Sequence, residues 1–205
     1  MKTPARAFSL IEMLVALTIS ATLLAATFAA LNASFKSYKR TTESASTHVV
    51  TRIVMHRIMT MIRTGSATSF GPFPDNPIEL PEITTNEIEF VVTTDEAANE
   101  SQIVRIERRD APEGSTEGPY ELWLVLTTVR DGTAVDEQER PLMVGVVDAV
   151  FNLEYDVGPT LLRATVDLTV RPNDLQDAAI AADLETPSIR MRSEERRVGK
   201  ECRSR

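Results

Sequence analysis

The chain has 205 residues, of which 30 are acidic and 22 are basic, so its net charge at pH 7 is −8. This acidity argues against a nucleic-acid partner, because nucleic-acid-binding proteins need a basic stripe or patch. The single cysteine, Cys202, excludes an intrachain disulfide framework and a site built from several thiolate ligands.

The N-terminal 35 residues combine a short basic leader, MKTPARA, with a long apolar run. Between Phe8 and Phe35 the only charged side chain is Glu12, and the run Met13–Leu31 has none. As a helix this run rises about 28 Å, close to the thickness of a bilayer's hydrocarbon core. It therefore predicts a membrane-spanning helix. Placing a charged carboxylate inside such a helix costs roughly 2.5–3.5 kcal/mol of insertion free energy. Its presence at Glu12 therefore indicates a functional role.

The segment Arg6–Glu12, with the sequence RAFSLIE, resembles the processing motif of type IV pilins and type II secretion pseudopilins. The resemblance implies that a prepilin peptidase cleaves between Ala7 and Phe8 and that the new amino group of Phe8 is then methylated. It also implies that Glu12 pairs with the Phe8 amino group of a neighbouring subunit. The family usually has glycine before the cleaved bond, and this chain has Ala7.

Two other interpretations of this segment stay open. A secretory signal peptide has a basic start, but its apolar core spans only about 7–15 residues, and a cleavage site near Ala33 fits poorly. A plain signal anchor would leave Glu12 unexplained. Either would make the chain an exported or membrane-anchored binding module with an unknown ligand.

The C-terminal segment Arg192–Arg205, RSEERRVGKECRSR, resembles the translation of a sequencing adapter, and it holds six of the 22 basic residues. The alternative is a native basic tail that binds phosphate or an acidic partner. We interpret it as non-native, which implies that the natural C-terminus is missing from this sequence. Deleting it is then expected to leave folding and membrane targeting unchanged.

The segment Phe8–Thr64 contains neither glycine nor proline and predicts one long helix. We divide the N-terminal region into a leader (1–7), a transmembrane and assembly half (8–34) and an amphipathic half (35–65). The amphipathic half has an apolar stripe expected to face a core, comprising Val49, Val50, Ile53, Val54, Ile58, Met61 and Ile62. Its opposite side carries Arg52, His56, Arg57 and Arg63, and Gly65 is the expected helix stop.

The segment 66–191 predicts a β-rich globular domain. A proline-rich connection reaches Pro81 and is followed by alternating segments typical of strands. The expected strands are Glu87–Thr93, Gln102–Arg108, Tyr120–Val129, Pro141–Val146, Ala149–Tyr155 and Leu161–Val170, with a further strand starting in Ser188–Met191 and a helical turn or loop at Ala178–Asp183. A long helix packed on an antiparallel sheet is an α+β fold, which is also what the resemblance to pilins implies.

The sequence shows no phosphate-binding loop, HExxH motif or nucleophile elbow, so we expect neither an enzyme nor a cofactor. The acidic turns Asp95–Glu100 and Asp131-Gly132 offer oxygen ligands for calcium but lack an EF-hand pattern.

The resemblance implies a structural subunit with these partners: prepilin peptidase, other pseudopilin or pilin subunits, an inner-membrane assembly platform and membrane lipid. It implies a single-pass inner-membrane protein whose C-terminal domain is periplasmic, in a secretion or pilus system. The segment Met143–Pro172 has a weaker resemblance to J-type minor pseudopilins of type II secretion.

Overall fold

The computed structural model describes residues 9–76, 78–95, 98–113, 119–156, 160–172 and 188–196. The chain divides into two units, Met1–Thr42 and Glu43–Arg205. The helix α1 comprises Leu10–Thr64, which confirms the predicted helix and its end before Gly65. Phe8, the predicted first helical residue, lies outside the described part of the chain, as do the turn at Gly158-Pro159 and the segment Ala178–Asp183.

The second unit is built on one antiparallel sheet, which confirms the predicted α+β class. Its strands are β1 (Glu82–Thr85), β2 (Glu87–Asp95), β3 (Glu100–Asp110), β4 (Tyr120–Arg130), β5 (Thr133–Asp156), β6 (Thr160–Val170) and β7 (Ile189–Arg196). In the described residues the order is β2-β3-β4-β5-β6-β7, and β1 pairs with β5. The β4–β5 turn at Asp131-Gly132 has positive φ at both residues, which is the type I′ geometry of a tight hairpin.

Strand β5 differs most from the sequence prediction, because Thr133–Asp156 is one strand where two short ones were expected. Its first half pairs with β4, and its second half pairs with β6 and β1. Register shifts accompany Pro141 and Gly145, and Gly145 has a φ of 73°. These irregularities fit the rule that proline and left-handed glycine enter sheets at bulges. Strand β1 was not predicted.

The helix contributes a different face to the core from the one predicted. Its buried residues are Thr51, Val54, Met55, Ile58, Met59 and Ile62. Three members of the predicted stripe, Val49, Val50 and Ile53, are exposed. At about 100° per residue, the buried face is rotated by roughly a quarter turn from the predicted one. The predicted polar side is confirmed, since Arg52, His56, Arg57 and Arg63 are all exposed.

Glycine is needed at position 65, directly after the helix, for a steric reason rather than for the conformational one that the sequence suggested. Its backbone is not in the left-handed region that a glycine stop often adopts. A Cβ atom placed at this position would lie 2.5 Å from Phe90 Cδ2 and 2.9 Å from Phe70 Cζ. The rings of Phe70 and Phe90 stack with centroids 4.7 Å apart, so glycine allows the helix end to close onto this buried pair.

The last strand extends into the segment predicted to be non-native. Residues Arg192–Arg196 belong to β7 and pair with β6 from Asp167 back to Arg163. Arg63 at the end of the helix donates two hydrogen bonds to the Glu195 carboxylate. None of these five residues is buried, so they extend an edge of the sheet and add no apolar side chain to its core.

Candidate assembly site

The helix begins with hydrogen bonds that join Ser9 to Glu12 and to Ile11. The Ser9 amide donates to Glu12 Oε2 at 2.9 Å, and the Ile11 amide donates to the Ser9 hydroxyl at 3.4 Å. The Met13 amide donates to the Ser9 carbonyl at 3.2 Å. This is the Ser-x-x-Glu arrangement of a capping box, with serine as the N-cap and glutamate as the third helical residue, except that the serine hydroxyl accepts from the amide of the second helical residue. The Ser-x-x-Glu spacing was visible in the sequence, but the role of Ser9 was not predicted.

The capping box fixes where the Glu12 carboxylate lies. The carboxylate accepts a hydrogen bond from the backbone amide of Ser9, the residue next to the predicted new N-terminus. The positive end of the helix dipole also stabilises its negative charge. An ionised carboxylate has about four acceptor positions, so one bond from Ser9 leaves capacity for an ammonium group. Ala7 and Phe8, the two residues of the predicted cleavage site, lie outside the described residues. Their roles and the pairing assigned to Glu12 therefore remain predictions.

The first unit presents its apolar side chains outward. Among the described residues, α1 is the one helix that is long and apolar enough to cross a membrane. The hydroxyl groups of Thr18, Thr22 and Thr27 each donate to a carbonyl one turn earlier, at 2.9 Å. A hydroxyl satisfied within its own helix avoids the cost of an unpaired polar group in hydrocarbon. The helix is thus suited to anchoring the chain in a membrane.

The charged groups of the sheet are mostly paired with one another. Arg109 donates to both carboxylate oxygens of Glu139, at 2.9 and 2.8 Å. It also forms an ion pair with Glu107, and its guanidinium lies 4.9 Å from the ring centre of Trp123. The bonds from Arg109 hold the pKa of the Glu139 carboxyl below its ordinary value. Arg190 has the same effect on the pKa of Asp167. Groups of this kind stay ionised at neutral pH and stabilise the sheet face; they are not placed for acid–base chemistry.

The two acidic turns considered for calcium meet at one end of the sheet. The Asn99 side-chain amide donates to Asp131 Oδ1 at 2.7 Å, and the Asp131 amide donates to the Asn99 carbonyl at 3.1 Å. The side chains therefore bond to each other. Within the described residues, no group of three or more potential metal-ligating side chains comes together.

A comparison with known protein families bears directly on the N-terminal segment. Residues 2–28 match the family described as the prokaryotic N-terminal methylation motif. The chain carries the N-terminal motif of type IV pilin-like proteins. The matched residues include the predicted cleavage site, the capping box and most of the uncharged run, which confirms the resemblance found in the sequence. Neither the comparison with curated proteins nor the comparison with solved structures gave a match.

The pilin-like motif covers the first unit only in part and does not extend to the sheet. It indicates a precursor of the pilin or pseudopilin kind, processed by a prepilin peptidase and assembled with other pilin subunits. Proteins with this motif are structural subunits rather than enzymes. The subtype and the origin of the C-terminal tail stay predictions from the sequence.

Proposed function

We propose that this chain is a structural subunit that is cleaved between Ala7 and Phe8, methylated at Phe8 and incorporated into a secretion or pilus filament. The observation that carries the proposal is the match of residues 2–28 to the methylation motif, joined to a helix whose apolar side chains are all exposed over residues 10–35. An apolar surface of this extent needs lipid before assembly and neighbouring subunits after it.

The position of Glu12 supports a role in assembly. A carboxylate at the head of a membrane helix is costly when it is charged and unpaired, and a nearby ammonium group removes much of that cost. Cleavage before Phe8 would give every subunit such an ammonium group at its N-terminus, and one bond from the Ser9 amide leaves the Glu12 carboxylate able to accept a further donor. We propose that the Phe8 amine of an incoming subunit pairs with Glu12 of its neighbour.

The proposed topology follows from the charges of the leader. Lys2 and Arg6 favour a cytoplasmic N-terminus, which puts the domain 66–191 on the periplasmic side of the inner membrane. There it would meet other pilin-like subunits and the assembly platform. The helix passes through Ala26–Ala30 without the kinking proline that major subunits often carry, which favours a minor subunit. Type II secretion is the system that we favour, from the resemblance of Met143–Pro172 to J-type pseudopilins.

The mass of the mature N-terminus tests this function. We expect co-expression with a prepilin peptidase to remove residues 1–7 and to add one methyl group to Phe8. A strain without the peptidase is the control, and Ala7→Gly should be cleaved at least as completely. A chain that retains Met1 with the peptidase present, or that is cut near Ala33, would refute the proposal and support the anchor or signal-peptide interpretation.

A further inference from the structure

Strand β5 has an open edge along its first half, residues 133–140. These residues pair with β4 on one side, and β6 joins the other side only from Val146 onward. Among the described residues, no strand pairs with this edge, and all eight of its residues are exposed. Successive residues of an antiparallel strand direct their N–H and C=O groups alternately to the two sides. About half of the backbone groups of the open edge therefore point away from β4, where another strand can pair with them.

An apolar groove continues the open edge at the place where β5 meets the end of β6. Its lining includes residues 141–144 of β5, Val170 and Arg171 after them on β6, and Val50 of the helix. The groove has a volume of about 340 Å³. Pro141 stands at the junction, where the strand has no N–H group to offer. A chain laid along the open edge would thus reach the groove where backbone pairing stops.

The open edge carries negative charge that the protein itself leaves unneutralised. It holds three acidic residues and one basic residue. Asp136 accepts a hydrogen bond from the Gln138 amide at 3.0 Å, and Glu137 accepts one from the Thr127 hydroxyl at 3.4 Å. Neither carboxylate forms an ion pair with another residue in the described ranges. Because consecutive strand residues lie on opposite faces, the two charges flank the edge on both sides of the sheet.

These charges disfavour two occupants that this chain could supply. A second copy pairing through the same edge would bring carboxylates opposite carboxylates, which destabilises a strand pair. The segment 173–187, which lies outside the described residues, follows β6 in the chain and carries four acidic residues and no basic one. The edge is instead complementary to an extended segment that carries positive charge.

We infer that the open edge of β5 and the apolar groove together bind an extended, basic segment of a different protein. Its backbone pairs with residues 133–140, its lysine or arginine side chains meet Asp136 and Glu137, and an apolar side chain enters the groove. In strand addition the main-chain hydrogen bonds give affinity, and the side-chain sites give specificity. The inference goes beyond the proposed function, since it concerns the second unit and does not depend on cleavage or methylation.

Binding of a defined peptide to the full chain in a neutral detergent tests the inference. The probe is a fluorescent peptide of two lysines, three threonines and the triplet Val-Leu-Val, made in this order and in the reverse order so that no strand direction is assumed. We expect one order to bind, by fluorescence anisotropy, at least ten-fold more tightly than the same peptide with glutamates in place of the lysines. The difference should shrink as salt is added.

Methylation of alternate peptide amides distinguishes strand addition from other modes of binding. Only every second amide of an added strand faces the edge. We expect N-methylation of one alternate set to weaken binding at least ten-fold and N-methylation of the other set to leave it near that of the parent peptide. Equal effects of the two sets would overturn strand addition.

The opposite edge of the sheet supplies a matched control for charge. Glu87 and Glu89 are exposed on the edge strand β2, so replacing both by glutamine changes the net charge as much as Asp136→Asn with Glu137→Gln does. We expect the change on β5 to weaken binding of the lysine peptide several-fold and the change on β2 to have little effect. Equal losses would mean that the peptide responds to net charge alone.

Two adjacent valines supply a matched control for the groove. Val50 lines the groove and is 48% exposed, whereas Val49 is 59% exposed and does not line it. Val50→Ser should weaken binding several-fold, and Val49→Ser should leave it near the wild-type value. Equal binding by the two variants would remove the groove from the site.

The remaining outcomes overturn the inference in different ways. Binding that appears only after residues 173–187 are replaced by a glycine-serine linker would mean that the chain's own segment covers the edge. A dimer of the full chain that the peptide dissociates, followed by sedimentation, would mean that the occupant is a second copy. No binding in any of these forms would mean that the charges keep the edge closed to other strands. A cleaved and methylated N-terminus in the same samples would leave the proposed function standing in each case.

Discussion

Substituting Glu12 separates two roles that the structure gives to one carboxylate. Glu12→Gln keeps an oxygen that can accept from the Ser9 amide, and glutamine also occurs in capping boxes. It removes the negative charge that we assign to assembly. Glu12→Ala removes both the acceptor and the charge. Ser9→Ala removes the serine half of the cap and keeps the charge.

The two roles differ in size. Losing a helix cap costs typically about 1 kcal/mol. A charged carboxylate in a membrane helix costs roughly 2.5–3.5 kcal/mol, and less near the interface. Removing it therefore favours insertion by an amount at least comparable with the cost of the lost cap. We therefore expect Glu12→Ala to insert at least as well as the wild type. We also expect it to be cleaved, since the leader and the scissile bond are unchanged.

Assembly should respond to the charge rather than to the cap. We expect cross-linking to co-expressed pilin-like subunits to fall strongly in Glu12→Ala, to be intermediate in Glu12→Gln and to stay near the wild-type level in Ser9→Ala. Amide exchange at Ser9 and Ile11 measures the cap independently, because these two amides make its hydrogen bonds. Exchange should rise in Ser9→Ala and Glu12→Ala, and less in Glu12→Gln.

One pattern of results would refute this reasoning. If Glu12→Gln assembles like the wild type while Glu12→Ala and Ser9→Ala are equally impaired, the carboxylate acts as a helix cap and the charge has no role in assembly. A signal anchor with a well-capped helix would then explain the segment as well as a pilin-like subunit does.

Three further predictions concern the second unit. Gly65→Ala should lower the free energy of unfolding by about 1–3 kcal/mol in chemical denaturation, because a Cβ atom would meet the Phe90 ring at 2.5 Å. Tyr155→Phe should cost about 1–2 kcal/mol, because the hydroxyl donates to the Pro72 carbonyl at 3.0 Å. Burial raises the pKa of Tyr155, so the contribution of its hydroxyl to stability is complete below the ordinary pKa of about 10 and is lost at higher pH. Above this pH the melting temperature of the wild type should therefore fall faster than that of Tyr155→Phe. An equal or slower fall would contradict the role assigned to the buried hydroxyl. Deleting residues 192–205 should keep cooperative unfolding and cost on the order of 1–2 kcal/mol, from the lost edge pairing of β7. Loss of the cooperative transition would show that the tail belongs to the core.

The sequence predicted the helix well because nothing between Phe8 and Thr64 can interrupt it. It misplaced the buried face because two apolar stripes overlap there. Val50, Ile53 and Met61 define one stripe, and Met55 and Met59 define the other, with Val54, Ile58 and Ile62 common to both. Periodicity alone cannot choose between them, because the choice depends on which side the sheet covers.

Strand β5 was divided in the prediction for a related reason. Proline is typical of the first residue of a strand, so the first predicted strand begins at Pro141 and omits residues 133–140, and the second begins at Ala149. A local pattern gives no sign that one strand runs through both Pro141 and Gly145. In the structure the strand changes neighbours at these residues, from β4 to β6 and β1. That exchange depends on contacts between segments far apart in the chain. The strand β1 was missed likewise, because its four residues pair with the distant segment Phe151–Glu154.

The two units differ in how closely their surroundings constrain the sequence. In the first unit a peptidase, a membrane and the neighbouring subunits each require particular residues at particular spacings, and these residues form a motif that can be matched. The sheet mainly requires that buried apolar and exposed polar positions alternate along its strands, and many sequences satisfy that requirement. The part of the chain that reveals the pilin-like class is therefore the part that has no core of its own. The exposed side chains of the sheet and its loops are the positions that the fold constrains least.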